Sequence, residues 1–374
     1  MKPDDTTSPG ANNLTADNGV NPDSSLHRND VEALEAQGGA PIEYARLSAA
    51  MDGFRLSQCI AAVARLGLAD AVTGTPITSS ALAARVGANA DALHRFLRAV
   101  ASEGIFASTN NGAWTHTPMS RLLARAHPSA FAARAVALGS LAWGPWGELL
   151  HSIETGEPAF DRVHGQPFFA HLQAHPALAD GFGKAMTSFT RATAQAVVDA
   201  VDLSAARHVV DVGGGHGVLL DALLQAHPSL RASLVDRPEV IARGAPQLRK
   251  SFAPRCALVA ADFFKDRLPS ADTYTLSWIL HDWDDDLCIR LLRQCADAMV
   301  SGSKLLVVEM IIEPGDAPSP AKMFDLEMLV QTGGRERTEA EYAALLETSG
   351  LTLRRRIQTQ APHSVLEATL AAEV

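Results

Sequence analysis

The sequence predicts an α/β protein with a mostly parallel sheet in its main domain and a smaller helical domain before it. Two observations support this fold class. Short apolar strands alternate with helical segments over residues 201–374, and a glycine-rich turn, GGGHG, follows the first strand directly. Residues 40–130 instead carry apolar side chains at intervals of three and four, which is typical of helices. We expect helices to separate the first five strands, which makes them parallel.

The end of the sheet domain has a different pattern. The last two predicted strands, LTLRRRIQTQ and HSVLEATL, are joined by a short loop that contains Pro362. A short loop cannot provide the crossover that parallel neighbours need. The sequence therefore predicts an antiparallel hairpin at the carboxyl-terminal edge of the sheet.

The composition is that of an ordinary globular protein. The chain has 374 residues, enough for two domains, of which 47% are hydrophobic and 20% charged. A net charge of −10 argues against nucleic acid or an anionic membrane as a partner, because both need a basic footprint. The four cysteines lack metal-binding spacing, and no apolar run reaches the length of a membrane span or a signal peptide. A cytoplasmic location is the expectation.

The amino-terminal third divides into a tail and a small domain. Residues 1–39 are polar and are predicted to be disordered, since they have few side chains to bury. In residues 40–130, two short helices near Ile77 and Ala90 precede a hairpin with an NNG turn, which is a winged-helix pattern. The second helix offers only His94, Arg95 and Arg98 to DNA. We therefore interpret this domain as a scaffold that packs against a twin subunit.

Residues 131–200 are predicted to be helices that build a pocket and then lead into the sheet domain (201–374). Aromatic and sulfur-containing side chains are frequent here, and core packing is the alternative interpretation for each of them. The candidates for the wall of an apolar pocket are Trp143, Trp146, Phe168, Phe169, Phe182, Met186 and Phe189.

The glycine turn predicts a ligand site. Asp211 lies near the end of the strand HVVDV, and Gly213, Gly215 and Gly217 follow it. Glycines let a ligand approach the backbone closely. The G-x-G-x-G spacing differs from the G-x-G-x-x-G of dinucleotide sites, which argues against a nicotinamide-linked oxidoreductase. The Asp211 carboxylate suits a ligand with cationic character better than a diphosphate.

The next two strands also end in acids. Asp236 ends the second strand and is placed to accept both hydroxyls of a ribose. Asp262 ends the third and is followed by Phe263, which pairs an acceptor for an exocyclic amine with a ring that can pack on a purine. Ligands of open α/β sheets bind at the edge where these strand ends meet.

Catalytic candidates follow the fourth strand in SWILHDWDDD. His281 is the first residue off that strand, and the acids at 284–286 are explained by capping of the next helix. Glu309 ends the fifth strand, and Glu336 lies in the loop GGRERT at the same edge. A histidine flanked by two carboxylates is suited to general-base chemistry. The sequence predicts no metal, since a calcium loop would need alternating acids around a central glycine.

In combination, the segments VDVGGGHG, VDRPEV, ADFF, SWILHDWDDD, VVEMIIE and GGRERT resemble the caffeate-type (class I, plant-like) small-molecule O-methyltransferases. Bacterial relatives in that family methylate hydroxylated aromatic secondary metabolites with S-adenosylmethionine. The resemblance spans about residues 40–372 and implies a Rossmann-like methyltransferase sheet, a winged-helix dimerisation domain and a homodimer.

The resemblance also implies roles for individual residues. His281 would be the base, flanked by Glu309 and Glu336. The cofactor would contact Asp211, Gly213, Gly215, Gly217, Asp236, Arg237, Asp262, Phe263, Ser277 and Trp278, and the acceptor pocket would include Trp143, Trp146, Phe182, Met186, Asp282 and Met328. Plant members carry a lysine at the position of Ser277, so the contact near the adenine must differ here.

Other chemistry on the same scaffold stays open from the sequence. C- or N-methylation and non-methylating S-adenosylmethionine-assisted reactions are alternatives, and a ligand-sensing winged-helix regulator is an alternative of another class. A phenol with a pKa of about 10 facing a histidine near 6.5 leaves a gap of roughly 3.5 units, or about 5 kcal/mol. Carboxylates beside His281 would narrow that gap, which favours O-methylation.

Overall fold

The computed structural model describes residues 41–244 and 246–372, so the predicted tail lies outside the described residues. The chain divides into two units, residues 1–58 and 59–374. Helix α1, Pro41–Leu66, begins in the first unit and ends in the second. Its apolar side chains Ile42, Leu47 and Met51 are each more than 60% exposed.

The predicted winged-helix pattern is confirmed. The sequence forms its two helices because Thr78 and Asn89 cap their first turns by accepting hydrogen bonds from Ala81 N and Ala92 N. The two strands that follow pair antiparallel. The elements are α2 (Leu68–Ala71), α3 (Ser79–Val86), α4 (Ala90–Ser102), β1 (Phe106–Ser108), β2 (Trp114–His116) and α5 (Pro118–Leu122).

The middle of the chain is helical, as predicted. Phe160 and Phe168 form a small core there with Leu141 and Leu172. The segment predicted as a linker is the end of a single 25-residue helix, α11. The elements are α6 (Phe131–Ala137), a π-helical turn (Leu138–Ala142), α7 (Trp143–Gly147), α8 (Leu149–Thr155), α9 (Ala159–His164), α10 (Phe168–Ala174) and α11 (Pro176–Ala200).

Seven strands form the main sheet, with the order β5-β4-β3-β6-β7-β9-β8. The first five in sequence are parallel to one another, and β9 pairs antiparallel with both β7 and β8. The predicted terminal hairpin is therefore confirmed, with β8 on the edge. The strands are β3 (His208–Val212), β4 (Arg231–Asp236), β5 (Cys256–Ala260), β6 (Ala271–Ser277), β7 (Met299–Met310), β8 (Leu351–Gln358) and β9 (His363–Leu370).

Helices connect most of these strands, but the prediction that helices separate all of the first five strands is wrong. Residues 261–270, between β5 and β6, contain no helix. This connection must cross three strand spacings of about 4.8 Å each and return to the opposite edge of the sheet, which leaves too little chain for a helix as well. The strand order reverses between β3 and β6, where ligands of open sheets bind. The helices are α12 (Val218–Ala226), α13 (Pro238–Gly244), α14 (Pro246–Phe252), α15 (Asp285–Ala298), α16 (Pro320–Gln331) and α17 (Glu339–Thr348).

The core lies on both faces of the sheet, because alternate strand residues point to opposite sides. Val210 and Val212 of β3 pack in one buried cluster with residues of α15 and α17, and Val209 packs in another with residues of α11 and α12. Cys288 and Cys295 share the buried face of α15, as their seven-residue spacing indicates. None of the helices within the described ranges combines the length and apolar character needed to cross a bilayer.

Candidate active site

A cavity of about 750 Å³ opens at the carboxyl ends of β3, β4 and β6 and extends between helices α6, α11 and α16. Its volume is within the range of about 300–1,000 Å³ that is usual for small-molecule sites. Most of the residues predicted from sequence line it: Trp146, Phe182, Met186, Asp211, Gly213, Gly215, Asp236, Arg237, Asp262, Phe263, Ser277, Trp278, His281, Asp282 and Met328.

Four predicted residues lie elsewhere. Glu309 and Glu336 are buried behind His281 rather than on the cavity wall. Gly217 begins α12 and lies against Leu248, where a Cβ would come within 2.5 Å of a methyl group. Trp143 is 44% exposed at the start of α7, so the structure places it outside the cavity that Trp146 lines.

The glycine turn approaches its neighbours so closely that side chains would not fit. Gly213 and Gly215 have φ angles of 74° and 58°, which favour glycine. A Cβ on Gly214 would lie 2.2 Å from Asp211 Oδ2 and 2.4 Å from a methyl carbon of Leu234. The tightest position in the turn is therefore Gly214, which the alternating spacing did not single out.

Asp211 is a buried carboxyl group with one unsatisfied oxygen. It is 1% exposed, and Thr275 Oγ1 donates a hydrogen bond to Oδ1 at 2.6 Å, whereas Oδ2 has no partner. Burial raises the pKa of Asp211 to about 7, although the Thr275 hydrogen bond opposes the shift. A cationic ligand beside this group would favour its charged form.

Asp236 fixes the turn. Its Oδ2 accepts a hydrogen bond from Gly215 N at 2.8 Å, and its Oδ1 accepts one from Arg237 N at 2.7 Å. Burial raises the pKa of Asp236, which these bonds partly offset. The same carboxylate can therefore hold the glycine turn and accept a ligand hydroxyl.

Asp262 and Phe263 lie at the next strand end. Asp262 is more exposed than Asp211 and Asp236. It accepts hydrogen bonds from Phe264 N at 3.0 Å and Lys265 Nζ at 2.7 Å. The Lys265 contact lowers the pKa of Asp262. Phe263 lies next to Gly213 on the cavity wall. A planar ring system could lie between the phenyl group and the turn.

Trp278 has a strained backbone beside the catalytic candidates. Its φ of 60° is unusual for a residue with a side chain, and strain of this kind concentrates at functional sites. The indole lies 5.7 Å from the His281 ring and 5.7 Å from the Phe189 ring, centroid to centroid. Trp278 Nε1 and Ser277 Oγ are both buried without hydrogen-bond partners in the structure.

His281 lies in a short 3₁₀ turn, Leu280–Asp282, and is 4% exposed. Its Nδ1 is 2.8 Å from Glu336 Oε1 and 3.3 Å from Glu309 Oε2. Both glutamates therefore face one ring nitrogen, which leaves Nε2 for a substrate. The 2.8 Å separation is that of an N–H···O hydrogen bond.

Glu309 also holds the loop that carries His281. Its Oε1 accepts hydrogen bonds from Ile279 N at 3.0 Å and Leu280 N at 2.8 Å. The ligand atoms of His281, Glu309 and Glu336 lie within 4.8 Å of one another, close enough to hold a metal ion. Hydrogen bonds hold these side chains in place, between His281 Nδ1 and Glu336 Oε1 and between Glu309 Oε1 and two backbone amides.

In the triad of His281, Glu309 and Glu336, the pKa of His281 and the pKa of Glu309 depend on each other. Burial alone would lower the pKa of His281, but Glu309 and Glu336 outweigh it and raise the pKa to about 10. Burial raises the pKa of Glu309 to about 7, against the opposing effect of His281. Asp282, whose Oδ1 is 3.8 Å from His281 Nε2, has its pKa raised to about 6 by burial.

Sequence reasoning missed two residues that position this loop. Arg337 is 1% exposed, and its guanidinium donates to Leu280 O at 3.1 Å, Trp283 O at 2.9 Å and Asp285 Oδ1 at 2.7 Å. A Cβ on Gly334 would lie 2.0 Å from His281 O. Both belong to the GGRERT segment, in which only the glutamate was predicted to have a role.

The far wall of the cavity carries a half-buried carboxylate that sequence reasoning also missed. Glu327 accepts a hydrogen bond from Trp146 Nε1 and another from Gln331 Nε2 at 3.2 Å. Burial raises the pKa of Glu327, against the effect of the Trp146 bond. In sequence it stands in an ordinary amphipathic helix, where a glutamate indicates an exposed face.

The acid-tipped strand ends, the glycine turn and the buried histidine with two glutamates define a small-molecule transferase. The family model of the O-methyltransferase domain matches residues 146–352, and the family model of the O-methyltransferase dimerisation domain matches residues 48–126. The chain belongs to this O-methyltransferase family.

Individual relatives agree with this assignment. The chain is 38% identical to the phenazine O-methyltransferase PhzM of Lysobacter antibioticus over 317 residues, 84% of this chain and 93% of that protein. The solved structure of LaPhzM matches 87% of this chain and 99% of its own with a TM-score of 0.85 and 37% identity. NcsB1, an O-methyltransferase from neocarzinostatin biosynthesis solved with S-adenosylmethionine and 2-hydroxy-5-methyl naphthoic acid, covers 84% of this chain and 96% of its own, with a TM-score of 0.74 and 33% identity.

The family cofactor, S-adenosylmethionine, fits the residues present. The unpartnered Asp211 Oδ2 suits a cationic amino acid group, and the Cβ-free turn at Gly214 leaves backbone accessible. The buried Asp236 is able to accept ribose hydroxyls. The protein is a methyltransferase that uses S-adenosylmethionine.

Proposed function

We propose that this enzyme transfers the methyl group of S-adenosylmethionine to a hydroxyl of a small aromatic metabolite, with His281 as the general base. The observation that carries the proposal is the orientation of His281. Two glutamates lie within 3.3 Å of Nδ1, and Nε2 remains for the cavity at the topological switch point.

The cofactor contacts follow from the strand ends. Asp211 faces the methionine part together with Gly213 and Gly215, while Asp236 takes the ribose. Asp262 and Phe263 take the adenine, with Arg237, Ser277 and Trp278 completing that side of the cavity. When bound, S-adenosylmethionine supplies an activated methyl group, so the protein's task is alignment and proton removal.

The negative charges of Glu309 and Glu336 beside His281 suit a phenolic acceptor. A phenol has a pKa of about 10, and the glutamates raise the pKa of His281 to about 10. Proton transfer from the acceptor hydroxyl to Nε2 is therefore nearly balanced in free energy. Glu309 and Glu336 therefore close the pKa gap that would separate a phenol from an ordinary histidine.

The acceptor half of the cavity is apolar and aromatic. Trp146, Phe182, Met186 and Met328 line it, and Asp282 lies beside His281 Nε2, where it orients the hydroxyl. Phenazine and naphthoic acid rings, named for the relatives above, are flat acceptors of the kind that such walls accommodate. We infer the same class of acceptor here.

The assembly we propose is a homodimer. A dimerisation domain covers residues 48–126, and α1 carries exposed apolar residues such as Ile42 and Met51. Exposed apolar patches of this kind mark interfaces. We assign residues 40–130 to dimerisation, 131–200 to the acceptor wall and linker, and 201–374 to cofactor binding and catalysis.

Incubation with methyl-labelled S-adenosylmethionine and matched sets of phenols, anilines and hydrocarbons tests the function. We expect label in the phenol ethers only. Label on nitrogen or carbon at a comparable rate would instead favour the other methylation chemistries that the scaffold supports.

The pH dependence of methyl transfer reports the state of the triad. A raised His281 pKa means that the imidazole of the free enzyme holds its proton at neutral pH, so kcat/KM rises as pH increases toward 10. Glu336→Gln removes a charge that raises this pKa, so the rising limb should move to lower pH while the maximum rate falls. Measurement of kcat/KM for the acceptor from about pH 6 to about 10 checks this, and an unmoved limb would count against the triad.

Glu327→Gln should destabilise the fold. An amide in place of the carboxylate turns an NH₂ group toward Trp146 Nε1–H or Gln331 Nε2–H, both of which are donors. A buried unsatisfied donor costs about 1–3 kcal/mol. Urea unfolding should show this loss, while the exposed control Glu154→Gln should change stability by less than about 0.5 kcal/mol. Equal stability of the two variants would refute the hydrogen-bond pattern.

A further inference from the structure

Arg134 is a cation on the acceptor side of the cavity. It lies on α6 and lines the cavity, with its guanidinium carbon 4.1 Å from the Phe189 ring centroid and 5.4 Å from that of Phe131. Within residues 41–244 and 246–372, no carboxylate lies within ion-pair distance of it, and none of its side-chain N–H groups donates a hydrogen bond.

The charge of Arg134 is uncompensated. Burial lowers its pKa, and no neighbouring carboxylate opposes that shift. A guanidinium nevertheless stays protonated in proteins, so the cavity wall carries a partly desolvated cation. An anion bound to the guanidinium would replace the interaction with water that the charge has lost through burial.

The position of Arg134 relative to His281 is set by two aromatic rings. Phe189 contacts the guanidinium and lies 5.7 Å from Trp278, which in turn lies 5.7 Å from His281. Arg134 and His281 are therefore linked by a row of two aromatic rings, Phe189 and Trp278, and all four residues line the cavity. A flat acceptor lying along the row, with its hydroxyl at Nε2, would present its far edge to the guanidinium.

The other charged groups in the acceptor half are already engaged. Glu327 is bonded to Trp146 and Gln331, and Asp282 lies beside His281. Arg134 has no ion pair within the described residues, so it is able to take an anionic substituent. Its planar fork of donors matches the geometry of a carboxylate and can bind it with two parallel hydrogen bonds.

We propose that Arg134 binds a carboxylate on the methyl acceptor, which makes hydroxylated aromatic carboxylic acids the substrate class. This inference rests on the proposed O-methyl transfer. It adds to that proposal an acceptor with two anchoring points, a hydroxyl at His281 and a carboxylate at Arg134.

The test uses pairs of hydroxylated benzoic, naphthoic and phenazine carboxylic acids, each with its primary amide. For the acid that binds best, we expect wild type to prefer the acid over the amide by about tenfold or more, and Arg134→Gln to lower kcat/KM for the acid by about 10–100-fold, mainly through KM. The same substitution should change kcat/KM for the amide by less than about threefold, since the amide makes no charge-assisted hydrogen bond with Arg134. Arg162→Gln removes a surface arginine paired with Glu148 and should behave as wild type.

Binding measurements separate this proposal from the catalytic one. Calorimetry on the complex with S-adenosylhomocysteine gives acid and amide affinities without turnover. Acid preference in binding, lost in Arg134→Gln, supports the carboxylate site even where no methyl transfer occurs, in which case the proposed reaction alone fails. If no acid binds better than its amide, or if the substitution weakens both equally, the carboxylate site is overturned.

Discussion

His281→Ala is expected to lower kcat by about 10²–10⁴-fold with little change in the affinity for S-adenosylhomocysteine. Nε2 is the ring nitrogen that the two glutamates leave for the acceptor, and alanine cannot take the acceptor proton. Removal of the ring also leaves Glu309 and Glu336 facing each other without the cation between them. Single-turnover methyl transfer measures the chemical step directly.

The control for this prediction is His175→Ala. His175 immediately precedes α11 and is not among the residues that line the cavity. Its Nδ1 lies 2.8 Å from His171 O, and its ring stacks on the His171 ring. Its substitution should leave the rate within about threefold, as is usual away from reacting groups. A His281→Ala enzyme that methylates at nearly the wild-type rate would remove the base from the mechanism.

Gly214→Ala is expected to weaken cofactor binding by at least about 10–100-fold, which corresponds to an overpacking cost of about 1–3 kcal/mol. The new Cβ would lie 2.2 Å from Asp211 Oδ2 and 2.4 Å from Leu234, so either the turn or the β3–β4 core must shift. Both changes move the carboxylates that hold the ligand. Calorimetric titration with S-adenosylhomocysteine measures the effect.

Gly181→Ala is the matched control, because the residue is helical and no described residue beyond its own helical turns comes within 4 Å of the Cβ position. Alanine is favoured over glycine in helices, so this variant should bind the cofactor normally. Wild-type affinity in Gly214→Ala would mean that the ligand does not depend on the turn.

The sheet and the position of the site could be predicted from sequence because their signals are local. A buried strand followed by glycines, and acids at strand ends, place Asp211, Asp236 and His281 at one edge once the strands are parallel. The loop between β5 and β6 could not be predicted in the same way. Its lack of a helix follows from the strand order, which is a property of the whole sheet.

The acceptor wall was less predictable for a related reason. Trp143 and Trp146 look equivalent in sequence, but only Trp146 reaches the cavity, where it bonds to Glu327 of a distant helix. Arg337 holds the catalytic loop by donating to Leu280 O and Trp283 O, 57 and 54 residues away in sequence. Gly334 lies so close to His281 O that a Cβ would overlap it, and no local pattern encodes either contact. Residues that come together only in the tertiary fold leave no pattern of spacing in the sequence.

The most direct test of the account is the distance from His281 Nε2 to the acceptor oxygen in a crystal of the enzyme with S-adenosylhomocysteine and an acceptor that it methylates. We predict about 2.6–3.2 Å, with that oxygen in line with the cofactor sulfur. An acceptor oxygen bound to another side chain, with Nε2 turned away from it, would contradict the account.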